Sequence, residues 1–313
     1  MSTTDTPLRY PGGKSSLAGF LSRLVTSTGL RDPFYVEPYC GGAGAAVSLL
    51  FREVVSDAFL NDIDRGIYSF WKAAKLHADT LCERIQTVKL TISEWRRQRR
   101  ILQQCDNHSL VDVGFACLFL NRVNRSGVLR ANPIGGLSQN GQWNMDARFN
   151  RDDLVRKVQR IARYRNRIHV SNLDAELFLD RVVASLSRPS LVYLDPPYFA
   201  KGKGLYRNHY QYNDHERLAA YLQREHHKYW LISYDATPEV CHLYKGLRRL
   251  SYQLSYSAAR RYNGSEVAFF SPALRLPAEV DPFLGSGRAW NGRLFTPALA
   301  KSMSSRVGSD PTS

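Results

Sequence analysis

The chain has 313 residues, which is long enough for one large domain or two moderate ones with a real core. It contains no run of about 18 apolar residues and begins with no apolar stretch, so the sequence predicts neither a membrane span nor a secretion signal and indicates a cytoplasmic protein. The formal net charge of +15 favours a polyanionic partner, with nucleic acid first, although a generally basic solvated surface is the alternative.

Cysteine usage argues against both disulfides and zinc. The five cysteines are scattered, with no C-x-x-C pair and no histidine cluster beside them. We therefore expect reduced thiols and no metal site.

The first motif along the chain is RYPGGKSSL at residues 9–17. It is similar to the end of a phosphate-binding P-loop, but that pattern requires glycine five residues before Gly13, where this sequence has Leu8, and no apolar strand precedes it. The P-loop interpretation therefore fails. The glycine pair can still place Tyr10 and Lys14, an aromatic ring and a cation, next to a bound nucleoside.

Short apolar runs predict five strands, at residues 34–36, 57–61, 167–171, 190–195 and 229–234. Helical patterns lie between several of them, for example at residues 43–52. This alternation predicts an α/β fold with a mostly parallel sheet, whose ligands lie at the carboxyl ends of the strands.

Two polar motifs follow the first two predicted strands. VEPYCGGAGAA at residues 36–46 leads from a strand through glycines into a helix, where backbone N–H groups can approach a ligand, but a purely structural turn is an equal alternative. In FLNDID, Asp62 lies 21 residues beyond Gly41, the spacing at which an acid holds a ribose hydroxyl in nucleoside-binding folds. A helix N-cap is the alternative function, and it suits Asp64 better than Asp62.

Residues 76–165 interrupt the strand–helix alternation and carry much of the charge. They contain a basic helical stretch (ISEWRRQRR), an apolar helix (VDVGFACLFLNRV) and a polar loop (RANPIGGLSQNGQWN), and a net charge of +9 lies between Lys75 and Arg165. We expect an inserted domain. Its basic helix either contacts phosphates or is an ordinary solvated face, and the context favours phosphates; the residues concerned are Arg96, Arg97, Arg99 and Arg100.

The stretch LVYLDPPYFA at residues 191–200 ends a buried strand with an acid and two prolines. One breaker is enough to leave a strand, whereas two prolines fix φ twice and remove two N–H donors. The two prolines, Pro196 and Pro197, therefore make this segment rigid. The rigid segment, a polar ledge, consists of Asp195, the carbonyl of Pro196 and the ring of Tyr198. Such a ledge indicates a site.

Taken in order, these motifs resemble the Dam-type adenine-N6 DNA methyltransferases. That family has a PGGK-like N-terminus, an E-P-F-x-G-G-like loop, an N-D-like second strand, a target-recognition insertion and D-P-P-Y; this chain has RYPGGK, VEPYCGG, LNDID, a basic insertion and LDPPY. The similarity extends through FLNRVNRSGVLRAN and RYNGSEVAFF and covers roughly residues 7 to 272.

The resemblance implies a Rossmann-like S-adenosylmethionine-dependent methyltransferase fold with an inserted, mainly helical target-recognition domain. The expected division is a first catalytic part at 1–75, the recognition domain at 76–165, a second catalytic part at 166–285 and a disordered tail at 286–313. The residues that it implies for binding S-adenosylmethionine are Tyr10, Lys14, Glu37, Gly41, Gly42, Gly44, Asp62, Asp174 and Asp195. In the recognition segment it implies DNA contacts by Arg122, Asn124, Arg125 and Arg130.

The chemistry of adenine methylation matches the D-P-P-Y motif. The N6 lone pair is delocalised into the ring, and hydrogen bonds from the amine to Asp195 and to the carbonyl of Pro196 draw the nitrogen toward tetrahedral geometry. Tyr198 stacks on the target base, which must leave the duplex to reach these groups. One departure from the family is Ala175, which follows Asp174 where relatives have an aromatic residue that packs on the cofactor; Leu177 or Phe178 are candidate substitutes.

We therefore expect a DNA adenine-N6 methyltransferase that acts on double-stranded DNA as a monomer, with a cognate restriction nuclease left open as a second partner. Two alternatives remain at this stage. One is an RNA or cytosine-N4 amino-methyltransferase, and the other is a non-catalytic DNA-binding regulator with the same fold.

Overall fold

The computed structural model describes residues 4–9, 14–199, 210–224, 228–257, 261–282 and 293–296. Its helices are α1 (Ala18–Thr28), α2 (Gly44–Phe51), α3 (Arg65–Leu76), α4 (Ala78–Thr87), α5 (Ile92–Gln103), α6 (Leu110–Val123), α7 (Arg151–Arg163), α8 (Ala175–Arg181), α9 (Tyr212–Gln223) and α10 (Pro238–Leu243). Its strands are β1 (Phe34–Glu37), β2 (Asp57–Asn61), β3 (Ile168–Ser171), β4 (Ser190–Leu194), β5 (Tyr229–Asp235), β6 (Arg248–Ser257), β7 (Arg261–Phe270) and β8 (Arg293–Phe295).

The strands form one sheet in the order β3-β2-β1-β4-β5-β7-β6-β8. The first five strands of this order are parallel, and β7, β6 and β8 pair antiparallel at one edge. The five predicted strands and the α/β fold class are confirmed. The antiparallel edge was not predicted, and β8 forms within the segment predicted to be a disordered tail, most of which lies outside the described residues.

The order of the parallel strands determines where a ligand can bind. From β1 the chain proceeds outward through β2 to β3 and then returns to place β4 on the other side of β1. The connections after β1 and β4 therefore diverge and leave a crevice at the carboxyl ends of these two strands. Residues 191–194 of β4 are all buried, as expected of a central parallel strand covered on both faces.

The helices within the predicted insertion pack directly on α3 and the sheet. Helix α6 crosses α3 so closely that a Cβ at Gly114 would lie 2.6 Å from the carbonyl oxygen of Ser69. Buried side chains from the sheet, from α3 and from α4 to α7 belong to one hydrophobic core, which includes Tyr35, Trp71 and Phe119. The insertion is therefore held rigidly beside the sheet.

The N-terminal segment is tied to the insertion by Asn121 of α6. The Asn121 side chain accepts a hydrogen bond from the Arg9 N–H at 2.6 Å and donates to the Arg9 carbonyl at 2.7 Å. This two-point contact leads the chain toward Lys14 at the carboxyl end of the sheet.

Among the described residues, no helix combines the length and the apolar character needed to cross a membrane.

Candidate active site

The turn after β1 is closed by hydrogen bonds from the neighbouring elements. Asp62 accepts from the Gly41 N–H at 2.9 Å, the Cys40 N–H donates to the Asn61 carbonyl at 2.8 Å, and the indole N–H of Trp71 donates to the Gly41 carbonyl at 2.9 Å. Gly41 has φ of 44°, in the left-handed region that glycine enters without a steric cost. The glycine turn and Asp62 are thus parts of one structure.

The other glycines bring the N-terminal segment against this turn. A Cβ at Gly44, the first residue of α2, would lie 2.1 Å from the hydroxyl oxygen of Ser15. The carbonyl of Gly42 accepts a hydrogen bond from the Thr6 hydroxyl at 2.5 Å. A side chain at Gly44 would force the Ser15 hydroxyl to move, whereas Gly42 contacts Thr6 through its backbone alone. These contacts place the segment that carries Lys14 against the turn.

The carboxylate of Asp62 keeps capacity for a ligand. Each of its oxygens accepts one backbone N–H at 2.9 Å, from Gly41 and from Asp64, and each has a second lone pair. Burial, reinforced by the charge of Asp64, raises the pKa of Asp62 to about 7. Hydroxyl donors from a ligand would favour its ionised form. Asp64 has a different function, because its side chain caps the N-terminus of α3.

Two further side chains near this turn differ in exposure. Ile63 is 50% exposed although it is large and apolar, so it offers a hydrophobic surface beside Asp62 that the sequence interpretation did not identify. Glu37, the last residue of β1, is only 4% exposed, and burial together with the charge of Asp195 raises its pKa to about 8. Glu37 is therefore a deeply placed acid at the floor of the crevice.

Asp174 and its neighbours lie further along this edge. The exposed Asp174 side chain accepts from the backbone N–H groups of Glu176 and Leu177 and caps α8. Phe178, one of the two candidates for the missing aromatic contact, is 1% exposed and belongs to the core beneath the sheet, whereas Leu177 is half-buried. Ala175 is buried and leaves no ring at this position.

One oxygen of the Asp195 carboxylate is held by two partners. Oδ1 lies 3.2 Å from the ammonium of Lys14 and accepts a hydrogen bond from the Ser233 hydroxyl at 3.0 Å. Ser233 in turn shares a 2.8 Å hydrogen bond with the hydroxyl of Tyr193. Among the residues that the structure describes, none donates a hydrogen bond to Asp195 Oδ2 or to the carbonyl oxygen of Pro196. Within the described part of the chain, the acceptors of Asp195 and Pro196 are therefore open, and they lie on consecutive residues.

Lys14 lies beside Asp195 rather than beside Asp62. Its ammonium contacts Asp195, lies 2.9 Å from a carboxylate oxygen of Glu266 and donates to the Tyr198 hydroxyl at 3.3 Å. Burial alone would lower the pKa of Lys14, but the charges of Asp195 and Glu266 raise it well above its usual value. The cation is fixed in its charged form.

Tyr198 and the residue after it are both anchored. The Tyr198 hydroxyl donates a short hydrogen bond to Glu266, and Tyr198 is 5% exposed. The Phe199 N–H donates to Asp235, the last residue of β5, at 3.0 Å. The D-P-P-Y segment is thus pinned at its acid, at its tyrosine and at the residue that follows.

The four arginines of α5 lie on its outer side, and Arg96, Arg97 and Arg100 are exposed. Arg97 pairs with Glu94 at 3.0 Å, and the Arg99 guanidinium lies 5.1 Å from the ring centre of Trp95. A surface pair of this kind stabilises little. These cations can therefore exchange their present contacts for phosphates.

The recognition segment separates into internal and external residues. The Asn124 side chain is fully buried, accepts from the Trp95 indole at 2.8 Å and donates to two carbonyls of the following loop. Arg122 donates to the Arg148 carbonyl at 2.7 Å, and burial lowers its pKa to about 10. Both side chains are engaged with the protein itself. Arg125 and Arg130 are exposed. The remaining predicted cofactor residue, Tyr10, lies outside the described residues.

Four residues of this site were not identified from the sequence: Glu266, Ser233, Tyr193 and Asp235. Glu266 and Ser233 lie in stretches that belong to the family resemblance, which was their only signal. Their proximity to Asp195 arises from the pairing of β4, β5 and β7, which spacing along the chain does not reveal.

The sheet order, the glycine turn after β1 and the pinned D-P-P-Y segment after β4 define a Rossmann-like S-adenosylmethionine-dependent methyltransferase. Residues 10–258 match the model of the D12 class N6 adenine-specific DNA methyltransferases, and the chain belongs to this family. It is accordingly an adenine-specific DNA methyltransferase, in agreement with the sequence interpretation.

Solved structures with similarity to this chain include two of the rRNA methyltransferase aviRa from Streptomyces viridochromogenes. The 1.5 Å structure has a TM-score of 0.43 and 15% identity, with 92% of this chain and 96% of that chain covered. The 2.4 Å structure has a TM-score of 0.38 and 14% identity, with 89% and 90% covered. Both similarities are too weak to bear on the substrate. No curated protein matches the chain.

Proposed function

We propose that this enzyme methylates N6 of an adenine that has rotated out of double-stranded DNA, and that it holds the amine between Asp195 Oδ2 and the carbonyl of Pro196. The observation that carries the proposal is the pair of open acceptors on consecutive residues. The N6 amine has two hydrogens, and two rigid acceptors on one side can bind both.

The neighbours of Asp195 fix the orientation of its carboxylate. Lys14 and Ser233 occupy Oδ1, so the carboxylate cannot turn Oδ2 away without losing an ion pair and a hydrogen bond. Hydrogen bonds to both amine hydrogens localise the nitrogen lone pair on the opposite side, where the new N–C bond forms. Asp195 is then the nearest base for the proton that N6 loses after the bond has formed.

The turn between β1 and α2 fits S-adenosylmethionine. The free lone pairs of Asp62 suit the two ribose hydroxyls, Ile63 supplies an apolar surface for the adenine ring, and the glycine turn lets the ligand approach the backbone. Asp195 provides a negative charge near the sulfonium, and the positive charge of the bound molecule would lower the raised pKa of Glu37 and favour its ionised form. The bound molecule supplies a methyl group already activated by a sulfonium, so that placement of the amine in line with it does much of the work.

Tyr198 is the proposed stacking surface for the flipped base. Its hydroxyl is held by Glu266 and Lys14, so the ring cannot swing aside when a base arrives. Extrusion of a base costs a few kcal/mol of stacking and pairing, which a fixed aromatic face partly restores.

The insertion is the proposed DNA-binding surface. The exposed arginines of α5 suit phosphates, and Arg125 and Arg130 are available in the recognition segment for phosphate or base contacts. The buried Asn124 and the engaged Arg122 support the loop that carries these residues.

The experiment that tests this proposal compares Asp195→Ala with Asp106→Ala, an exposed acid of the insertion as the matched control. We expect the first variant to retain less than about a tenth of wild-type turnover with DNA affinity within about threefold, and the control to match wild type. Turnover of Asp195→Ala above a tenth of wild type would contradict the catalytic role of this carboxylate.

A further inference from the structure

We propose that Glu266 is a positioning residue for methyl transfer: it shares Lys14 with Asp195 and holds the Tyr198 ring, and so keeps Asp195 Oδ2 free for the adenine amine. The inference rests on the proposed function of Asp195. Glu266 lies 71 residues beyond Asp195 in the chain and on a different strand.

The position of Glu266 follows from the register of the sheet. In β7 it pairs with Asp235 of β5 and with Tyr252 of β6, which places its side chain at the inner wall of the crevice. It is 1% exposed. One carboxylate oxygen lies 2.9 Å from the Lys14 ammonium, and the other accepts the hydrogen bond of the Tyr198 hydroxyl. A buried carboxylate is costly unless it is fully paired, and both oxygens of Glu266 are paired with residues of the site.

Lys14 is shared between two carboxylates, and this sharing determines how strongly its ammonium attracts Asp195. The ammonium lies closer to Glu266, at 2.9 Å, than to Asp195, at 3.2 Å. Without Glu266, Asp195 would be the one carboxylate beside the Lys14 ammonium among the described residues, and the attraction between the charges would pull that carboxylate, Oδ2 included, toward the ammonium. Glu266 prevents this collapse, so that Lys14 contacts only Oδ1 and the second oxygen of Asp195 points to the substrate.

The same arrangement fixes the stacking ring. The Tyr198 hydroxyl is bonded to Glu266 and Lys14 together, so the ring and the catalytic acid are positioned by one pair of charges. A displacement of about 1 Å in a reacting group can cost about a hundredfold in rate. Glu266 is thus expected to affect turnover more than binding.

A change in charge at Glu266 should also alter the pH dependence of turnover. Among the residues that the structure describes, the titratable groups that interact with Asp195 are Lys14, Tyr35, Glu37, Tyr193, Tyr252 and Glu266, and Tyr198 contacts Lys14 beside them. Burial raises the pKa of Asp195, Lys14 opposes the rise and Glu266 adds to it. Removal of the Glu266 charge leaves Lys14 to act with less opposition, so the pKa of Asp195 falls and the acidic limb of turnover moves to lower pH.

The test compares Glu266→Gln and Glu266→Asp with Glu239→Gln, an exposed acid-to-amide control at the start of α10. We expect Glu266→Gln to lower kcat by about 10- to 100-fold, with KM for S-adenosylmethionine and for DNA within about threefold, and to move the acidic limb to lower pH. Glu266→Asp keeps the charge but is one methylene too short to reach both partners, so kcat should fall while the acidic limb stays in place.

Several results would overturn the inference. It is wrong if both Glu266 variants fold and keep wild-type kcat, or if kcat falls in Glu266→Gln while the acidic limb does not move, since a structural role alone gives that pattern. If Glu266→Gln does not fold, Glu266→Asp decides through the split between kcat and KM: a kcat lowered about tenfold with both KM values within about threefold supports the inference, and a wild-type kcat or a rise in KM as large as the fall in kcat overturns it. Should the wild-type enzyme itself fail to methylate adenine, the proposed function fails, and that outcome is distinct from all of these.

Discussion

The two ends of the parallel sheet carry opposite charges. An acid ends or closely follows each of the five parallel strands at the carboxyl end: Glu37, Asp62, Asp174, Asp195 and Asp235. An arginine precedes four of the same strands at the amino end: Arg31, Arg52, Arg165 and Arg188. All four arginines are exposed, whereas Glu37 and Asp235 are buried and Asp62 and Asp195 are half-buried.

The sign of a charge at either end of the sheet indicates function only together with burial of the charged group. An acid removed from water is costly, so buried acids that remain open to a crevice indicate a ligand that brings cations or hydrogen-bond donors. An exposed arginine costs little and indicates nothing specific about a partner. Three of the four α5 arginines are as exposed as those at the amino end, so exposure does not distinguish the two sets, and only the family resemblance of the insertion favours the α5 set as DNA contacts.

The largest expected effect separates these two sets of arginines. Alanine at Arg96, Arg97, Arg99 and Arg100 should weaken binding to every duplex and reduce the salt slope by up to about 3.6, since each lost phosphate contact releases about 0.9 fewer counterions. The matched control replaces Arg31, Arg52, Arg165 and Arg188 with the same loss of charge, and it should keep most of the wild-type slope. Titrations at several salt concentrations measure both. Equal slopes in the two variants would make α5 an ordinary solvated face.

Glu37 shows what a buried acid at the carboxyl end of the sheet costs in free energy of unfolding. Its pKa of about 8 in the folded state exceeds the usual 4.5, so the folded state binds this proton more tightly and the free energy of unfolding falls as pH rises from about 4.5 to about 8. Glu37→Gln should flatten this fall and be more stable than wild type at pH 9 by a few kcal/mol. Thermal unfolding from pH 5 to 9 measures it, with Asp106→Asn as an exposed control. An unchanged pH dependence in Glu37→Gln would show that another group controls it.

Substitutions at Asp62 and at Lys14 should have different effects: the first on S-adenosylmethionine affinity, and the second on turnover. Asp62→Asn is expected to weaken S-adenosylmethionine binding by about 1–3 kcal/mol, because a charged acceptor is lost. Lys14→Ala should mainly lower turnover, because its ammonium contacts Asp195 and Glu266. Calorimetry and single-turnover rates on both variants check this division. If Lys14→Ala weakened cofactor binding and left the rate intact, Lys14 would belong to the cofactor site.

The smallest expected change is in the discrimination between base pairs at one position of the DNA target. Arg130→Ala should lower discrimination at a single position of the target by about 1–3 kcal/mol if its guanidinium binds guanine in the major groove. The affinities of cognate and singly substituted duplexes measure this, with Arg31→Ala, an exposed arginine at the amino end of the sheet, as the control. A uniform loss across all duplexes would assign Arg130 to a phosphate or to the loop structure.

Features of the fold and site that depend on a short stretch of sequence were predicted correctly. Apolar runs predicted the five parallel strands, and the motifs after them located the glycine turn and Asp195. Sequence reasoning missed Glu266 and Ser233, because only the pairing of β4, β5 and β7 brings them to the acid. It also treated Asn124 as a DNA contact, whereas burial beneath the loop engages its amide internally. Contacts between distant segments depend on packing, and a linear motif does not specify them.

The chemical identity of the methylated product shows whether Asp195 Oδ2 and the Pro196 carbonyl bind an adenine amine. Unmodified DNA and RNA are each incubated with the wild-type enzyme and S-adenosylmethionine labelled on the methyl group, and the labelled nucleosides are identified by mass spectrometry. We expect labelled N6-methyldeoxyadenosine from DNA and no labelled nucleoside from RNA. A label in N4-methyldeoxycytidine, or a label in RNA alone, would contradict this expectation.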